Sequence, residues 1–152
     1  MAVSMDDIKK LREETGAGIV EAKKTLESNN GDYEKSKQEL QEKGLLRIEK
    51  RKDRDALQGL IEAYVHTDKK TGVLLELLCE TDFVARTDDF VNLAHELALQ
   101  IAAMEPVDIT DLLAQPWVKE PKTTVGDLVN SVAAKVGENM RIGRFIRYKL
   151  GE

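Results

Sequence analysis

The sequence predicts an α+β protein, in which a three-helix module precedes a three-stranded antiparallel sheet packed by two helices. Short apolar repeats of helical period, divided by glycine-containing breaks, fill residues 1–44. Two alternating stretches flank turn residues at 67–72, which is the pattern of a β-hairpin. Two longer amphipathic stretches and a last alternating stretch complete the chain. We therefore predict a helical module over 1–44, a charged linker over 45–58 and an α+β core over 59–152.

The composition is typical of a globular protein, with 41% hydrophobic and 34% charged residues. The formal net charge of -5 disfavours generic binding to nucleic acid or to anionic membranes. The single cysteine, Cys79, excludes an internal disulfide and is typical of a reducing compartment. No apolar run is long enough to span a bilayer, and the N-terminus has no secretory signal pattern. We expect a cytoplasmic protein that binds neither nucleic acid nor membrane directly.

The helices of the N-terminal module are marked by capping and breaking residues. Ser4 is a typical N-cap, and the two glycines of Thr15–Gly18 predict a break after the first helix. Asn29–Gly31 predicts the end of the second helix through a left-handed cap. Asp32 predicts the start of a third helix, which we expect to end at Gly44.

Ile19 and Val20 follow the first break directly. Both side chains cannot point into so small a core, so we expect one of them at the surface. A singly exposed apolar residue needs no function, and the residues alone leave its role open.

The linker is rich in lysine and arginine between Lys43 and Arg54. A basic patch can indicate nucleic-acid binding, and it can equally be the solvated face of a helix or linker. The acidic balance of the whole chain and the lack of interleaved aromatic residues favour the second interpretation.

Alternation of apolar and polar residues predicts strands at Gly59–His66 and Val73–Cys79. On the first strand, Ile61, Ala63 and Val65 fall on one face. Both faces of the second strand are largely apolar, so we expect it to be central and covered on both sides.

Two helices and a third strand are predicted after the hairpin. Thr87 is a typical N-cap for the first helix, and Thr124 with Asp127 forms a capping pair for the second, which ends at Gly137. The stretch Met104–Pro121 holds all three prolines and is predicted to be irregular. One face of the last strand is expected to carry Ile142, Ile146, Tyr148 and Leu150.

A charge and an aromatic ring, Asp82 and Phe83, stand together in the short loop Thr81–Arg86 between the second strand and the first core helix. Loops held between two rigid elements often carry function. Two interpretations of Phe83 are open: a core residue at the end of the sheet, which is the commoner place for Phe, or a ring that docks into a partner.

Four separated blocks of the chain, in order, resemble the elongation factor Ts family. The most specific is Glu80–Arg86, which is similar to the family's signature. The others are Leu11–Leu26 with Asn30–Asp32, Leu112–Lys119, and Gly137–Met140 with Arg144–Tyr148. The resemblance covers nearly the whole chain, and its N-terminal part is similar to ubiquitin-associated domains.

The resemblance implies a guanine nucleotide exchange factor that does no bond chemistry. Its expected partner is elongation factor Tu, in the GDP-bound and nucleotide-free states, during translation elongation. The implied exchange loop comprises Thr81, Asp82, Phe83 and Val84, and it would act near the partner's magnesium and nucleotide site. The implied docking residues of the N-terminal module are Arg12, Ile19, Val20 and Lys23, and Arg51 is a further implied contact.

This chain is shorter than many members of the family. Between Met104 and Leu112 there is no room for the helical hairpin that longer members carry, and we find no internal repeat of the core. We therefore expect a short form with one core unit. Short members can pair, which implies a homodimer through the exposed side of the sheet.

The motifs of common enzyme classes are missing. The sequence has no phosphate-binding loop and no dinucleotide fingerprint, and His95-Glu96 lacks the second histidine of a zinc helix. No histidine is placed to activate Cys79 as a nucleophile. We expect no metal, no cofactor and no enzymatic activity. The alternative from another class is an adaptor that binds helical or ubiquitin-like partners through the N-terminal module, with the core merely structural.

Overall fold

The computed structural model describes residues 2–152, and it begins with three helices. They are α1 (Met5–Thr15), α2 (Ile19–Ser28) and α3 (Tyr33–Glu49). Ser4 caps α1 by accepting a hydrogen bond from the Asp6 amide, as predicted. The helices enclose a small apolar core formed by Ile8, Leu11, Ala17, Ala22, Leu26 and Leu40.

The prediction that the third helix ends at Gly44 is wrong, because α3 continues to Glu49. Gly44 is buried, and a Cβ added there would lie 3.2 Å from the Cβ of Ala134. The glycine thus permits close packing between helices and does not mark a helix end. The division at residue 44 stays a prediction, although Ile48 of α3 already belongs to the core cluster of the α+β unit.

The α+β unit contains the antiparallel sheet β1-β2-β5, made of β1 (Gln58–Val65), β2 (Thr71–Cys79) and β5 (Met140–Lys149). The hairpin and the central position of β2 are confirmed. The expectation that β2 is covered on both sides is wrong in this chain. Cys79 and Leu75 are buried under the helices, whereas Leu74 on the opposite face is 51% exposed.

A β-bulge changes which side chains of β5 share a face. Glu76 pairs with Arg144 and Leu77 pairs with Ile142, so Gly143 is the extra residue. A Cβ at Gly143 would lie 2.2 Å from a carboxylate oxygen of Glu76, so a larger residue there would require the Glu76 side chain to move. Ile142 is therefore buried while Ile146 is exposed, and the prediction that these two share a face is wrong.

Two helices cover the inner face of the sheet, α5 (Asp88–Met104) and α7 (Val125–Val136). Their predicted caps are confirmed: Thr87 accepts from the Phe90 amide, and Thr124 forms a reciprocal capping box with Asp127. The fold class predicted from the sequence is confirmed. No helix among residues 2–152 is both long and apolar enough to cross a bilayer.

A single helical turn, α4 (Asp82–Ala85), lies between β2 and α5. The stretch Met104–Pro121, which we predicted to be irregular, instead contains three short elements, of which the last continues to Thr124. These are α6 (Ile109–Ala114), β3 (Pro116–Trp117) and β4 (Glu120–Thr124). Gln100 of α5 is fully buried and supports the β3-β4 hairpin. Its amide donates to the Pro116 carbonyl at 3.1 Å and accepts from the Val118 amide at 3.0 Å.

Candidate functional site

Phe83 lies on α4, a single helical turn between β2 and α5, and its side chain is 88% exposed. The interpretation of Phe83 as a core residue is therefore wrong. Ala85 of the same turn is buried, and Val84 packs against the core cluster, so the turn is seated on one side only. The ring is held out to solvent by a turn whose other side is fixed.

Thr81 caps this turn and is itself bound by Glu138. Its hydroxyl accepts from the Val84 amide at 3.4 Å, and its carbonyl accepts from the Ala85 amide at 3.3 Å. The Glu138 carboxylate accepts from the Thr81 amide at 2.9 Å and from the Thr81 hydroxyl at 2.7 Å. Bonds to an ionised acceptor are the stronger kind, so Thr81 is firmly placed.

Glu80, which directly precedes Thr81, binds the backbone next to Glu138. Its carboxylate accepts from the backbone amide of Asn139 at 3.0 Å and lies 3.4 Å from Arg51 and 3.9 Å from Arg54. The Asn139 side chain in turn donates to the Arg54 carbonyl at 2.9 Å. The base of the loop is thereby tied both to β5 and to the segment that follows α3.

Asp82 contributes charge at the exposed end of the loop. Its carboxylate lies 2.7 Å from the Arg86 guanidinium, and both side chains are mostly exposed. A pair of this kind contributes little to stability in water. Of the four residues predicted for this site, Asp82 and Phe83 face solvent, while Thr81 and Val84 form its half-buried base.

Cys79 lies directly before this network and is fully buried. Burial and the nearby Glu138 carboxylate raise the pKa of the thiol to about 11, and the thiol donates to the Thr81 carbonyl. A thiol with so high a pKa is a poor nucleophile at neutral pH, so the chemistry of Cys79 is that of a packing residue. Residues 2–152 contain no group of three or more His, Cys, Asp or Glu side chains that could hold a metal ion.

The residues predicted for docking in the N-terminal module are all at the surface. Ile19 is 53% exposed and Val20 is 66% exposed, so both apolar side chains are at the surface where one was expected. Arg12 and Lys23 are exposed as well. Arg51 differs from these four, because its guanidinium is already engaged with Glu80 inside the chain.

A second apolar surface lies on the sheet face that no helix covers. We call it the open sheet face; it is formed by Ile61, Val65, Leu74, Ile146 and Tyr148, each between 43% and 71% exposed. All five come from adjacent strands, so the surface is continuous across the sheet.

Sequence reasoning assigned no role to Glu80, Glu138 and Asn139. Their proximity could have been predicted from the sequence, because antiparallel pairing of the second and third predicted strands brings the end of one beside the start of the other. The observed register pairs Cys79 with Met140, which puts residues 80–81 next to 138–139.

The C-terminal half of the chain is similar to a known protein family. A family described as elongation factor Ts matches residues 80–152, which include the loop, α5, α7 and β5. This part of the chain is therefore similar to a family of translation elongation factors.

Whole-chain relatives establish the family. An elongation factor Ts from Coprothermobacter proteolyticus is 43% identical, and the alignment covers 100% of both chains. One from Thermotoga maritima is 42% identical over 100% of this chain and 98% of the relative. This chain belongs to the elongation factor Ts family.

The same comparisons confirm a short form. The alignment with the Coprothermobacter proteolyticus protein extends over 197 residues, whereas this chain has 152, so the relative has residues that this chain lacks. An elongation factor Ts from Aquifex aeolicus is 44% identical over 97% of this chain but only 53% of its own length.

Proposed function

We propose that this protein accelerates the release of GDP from elongation factor Tu by inserting Phe83 near the partner's magnesium and nucleotide site. The observation that carries the proposal is the 88% exposure of Phe83 on a turn whose base is anchored. Burying such a ring against a partner is worth about 1.5–3 kcal/mol. That free energy becomes available only in the complex.

The insertion works through a difference in affinity and needs no bond chemistry in this chain. An exchange factor can speed release only by as much as it binds the nucleotide-free partner better than the GDP-bound partner. The ring would separate two helices of the partner and disturb the magnesium ion, whose charge offsets the phosphates. Asp82, at the same exposed end, adds negative charge beside the disturbed site.

The N-terminal module supplies affinity in this mechanism. Ile19 and Val20 form an exposed apolar pair at the start of α2, with Arg12 and Lys23 as flanking cations. Their role is to hold elongation factor Tu while the loop acts. Arg51 would contact the partner only with the part of its guanidinium that Glu80 leaves free.

The open sheet face is proposed as the surface of a homodimer. It exposes five large apolar side chains on one face of the sheet, and an apolar sheet face commonly packs against a second sheet. A second protomer would take the place of the second core copy of longer relatives. Sedimentation velocity at micromolar protein should show a dimer that Leu74→Lys converts to monomer, and a wild-type monomer at every concentration would refute this part of the proposal.

The experiment that tests the exchange function is stopped-flow release of a fluorescent GDP analogue from elongation factor Tu. The wild-type protein should accelerate release strongly, and Phe83→Ala should lower the maximal rate by about ten- to a hundredfold, which corresponds to the lost burial of the ring. Val107→Ala is the matched control, because Val107 is 84% exposed and lies outside the loop.

The result also decides between the two functions left open by the sequence. An adaptor that acts through its N-terminal module does not need Phe83. If folded protein in excess leaves GDP release unchanged, the exchange function is refuted and the adaptor function takes its place.

A further inference from the structure

We propose that Glu138 is a positioning residue of the exchange loop: its carboxylate fixes Thr81, and through Thr81 it orders the turn that presents Phe83. The inference rests on the proposed exchange function, since it explains how this chain presents the ring. Glu138 contacts the loop from the opposite end of the sequence and has no place in the partner-binding set.

The turn that carries Phe83 cannot hold its own shape. It spans the four residues Asp82–Ala85, and a helix of this length is far below what is stable alone in water. Phe83 projects into solvent and contributes almost no packing. The conformation of the turn therefore depends on its base.

Glu138 controls the capping group of that base. A threonine hydroxyl has one proton and two lone pairs. The proton of the Thr81 hydroxyl goes to Glu138 at 2.7 Å, which leaves the lone pairs to accept from the Val84 amide. The second carboxylate oxygen accepts from the Thr81 amide at 2.9 Å. Glu138 thus sets both the backbone position and the hydroxyl orientation of the cap.

The position of Glu138 is itself secured by the fold. It stands between α7 and β5, directly before Asn139, which is buried and bonded to Glu80. Glu80 binds the backbone of the β5 side, and Glu138 binds the backbone of the loop side. Each carboxylate thus binds the backbone of the other's segment, and together they join the end of β2 to the start of β5 where the loop begins.

The first test needs no partner and uses amide hydrogen exchange by NMR on the free protein. Glu138→Gln keeps the size of the side chain but removes its charge and one of its two acceptor oxygens, so it can accept from the Thr81 amide or from the Thr81 hydroxyl but not from both. We expect amide exchange at Thr81, Val84 and Ala85 to accelerate at least tenfold, with α5 and α7 unaffected. Glu120→Gln, at an exposed glutamate of β4, is the matched control and should change none of them.

Thr81→Val is the comparison variant, because it removes both the 2.7 Å bond to Glu138 and the hydroxyl that accepts from the Val84 amide. It should accelerate amide exchange at Val84 as Glu138→Gln does. Thermal melting of both variants should stay close to that of the wild type. Unchanged amide exchange across the loop in the folded Glu138→Gln protein would overturn the proposal, even if Thr81→Val accelerates it.

The second test measures GDP release from elongation factor Tu as the concentration of each variant is raised. Glu138→Gln should lower the maximal rate about five- to thirtyfold and leave the half-saturating concentration within twofold, since the docking residues are intact. In a Phe83→Ala background, Glu138→Gln should have no further effect, because positioning a missing ring has no value. A drop of equal size in both backgrounds would show that Glu138 acts independently of the loop and would refute the role.

The two tests separate this inference from the exchange function. If the wild-type protein does not accelerate GDP release, the proposed function fails, and the amide measurements still decide whether Glu138 orders the turn. If release is accelerated and depends on Phe83 but not on Glu138, the function stands and the positioning role is refuted.

Discussion

Phe83 and Phe90 are seven positions apart and lie in opposite environments, so their replacement by alanine separates docking from folding. Phe83 is 88% exposed, whereas Phe90 is fully buried in the core between the sheet and the helices. We expect Phe83→Ala to abolish most exchange activity with little loss of stability. Phe90→Ala should strongly destabilise the fold.

The magnitudes follow from the burial of each ring. Full burial of a phenylalanine is worth at most about 3 kcal/mol, and only about an eighth of the Phe83 side chain is covered. Its loss should therefore cost about 0.4 kcal/mol. Phe90→Ala removes a fully buried ring and leaves a cavity, which typically costs about 3–5 kcal/mol.

Urea unfolding measures both values, with the fluorescence of Trp117 as the probe. With a slope of about 2 kcal/mol per molar urea, Phe83→Ala should shift the midpoint by about 0.2 M and Phe90→Ala by about 1.5–2.5 M. The slope itself should be unchanged if both variants unfold in one step.

One result would refute this reasoning. If Phe83→Ala lowers the midpoint as much as Phe90→Ala does, the ring packs within the fold in solution. A loss of exchange activity in that variant would then report a damaged fold and would say nothing about docking. An unchanged midpoint combined with slow exchange would locate the defect at the contact with the partner.

Three further perturbations test the N-terminal surface, the β3-β4 hairpin and an acid-sensitive contact. Val20→Asp should raise the half-saturating concentration in GDP release about tenfold without changing the maximal rate, while the equivalent change at the 84% exposed Val107 should have no effect. Gln100→Leu leaves buried partners unsatisfied and should cost about 1–3 kcal/mol, seen as a lower melting temperature. A hydrogen bond donated by the Tyr33 hydroxyl lowers the pKa of the Glu14 carboxyl in the folded protein. The ionised carboxylate therefore stabilises the fold at pH values above the ordinary pKa of a carboxyl, and this contribution is lost as pH falls through the lowered pKa. Glu14→Gln should flatten the acid side of a plot of melting temperature against pH, and an unaltered plot would contradict this role.

Local chemistry made the helix starts predictable, since a cap needs only the residues of one turn. Thr87 and Thr124 bond to amides three positions ahead, as their sequence context indicates. The end of α3 was predicted wrongly at Gly44, because the prediction used only the residues next to it in sequence. The role of this glycine is to admit Ala134 from another helix, and no neighbour in sequence carries that information.

The faces of the strands were predictable only while the alternation was unbroken. Gly143 adds one residue to β5, and this reverses Ile142 relative to Ile146. The prolines between residues 104 and 121 suggested irregular structure. The buried Gln100 of α5, 16 positions before Pro116, instead supplies the hydrogen bonds that order the β3-β4 hairpin.

The exposed end of the candidate site could be predicted, and its base could not. Asp82 and Phe83 belong to one contiguous signature, so resemblance alone indicates them. Thr81 and Glu138 are separated by 57 positions and meet only because β2 pairs with β5. Pairing of strands distant in sequence is the information that local patterns carry least.

This division between tip and base has a physical reason. If Phe83 acts as proposed, the ring must remain unburied in the free protein, so it cannot stabilise the turn that holds it. The hydrogen bonds that the Glu138 carboxylate accepts from Thr81 can provide that stability without covering the ring. Variants at the tip and at the base should then share one functional defect and differ in the free protein. Loss of Phe83 should leave the turn ordered, whereas loss of the Glu138 carboxylate should leave the ring present on a disordered turn.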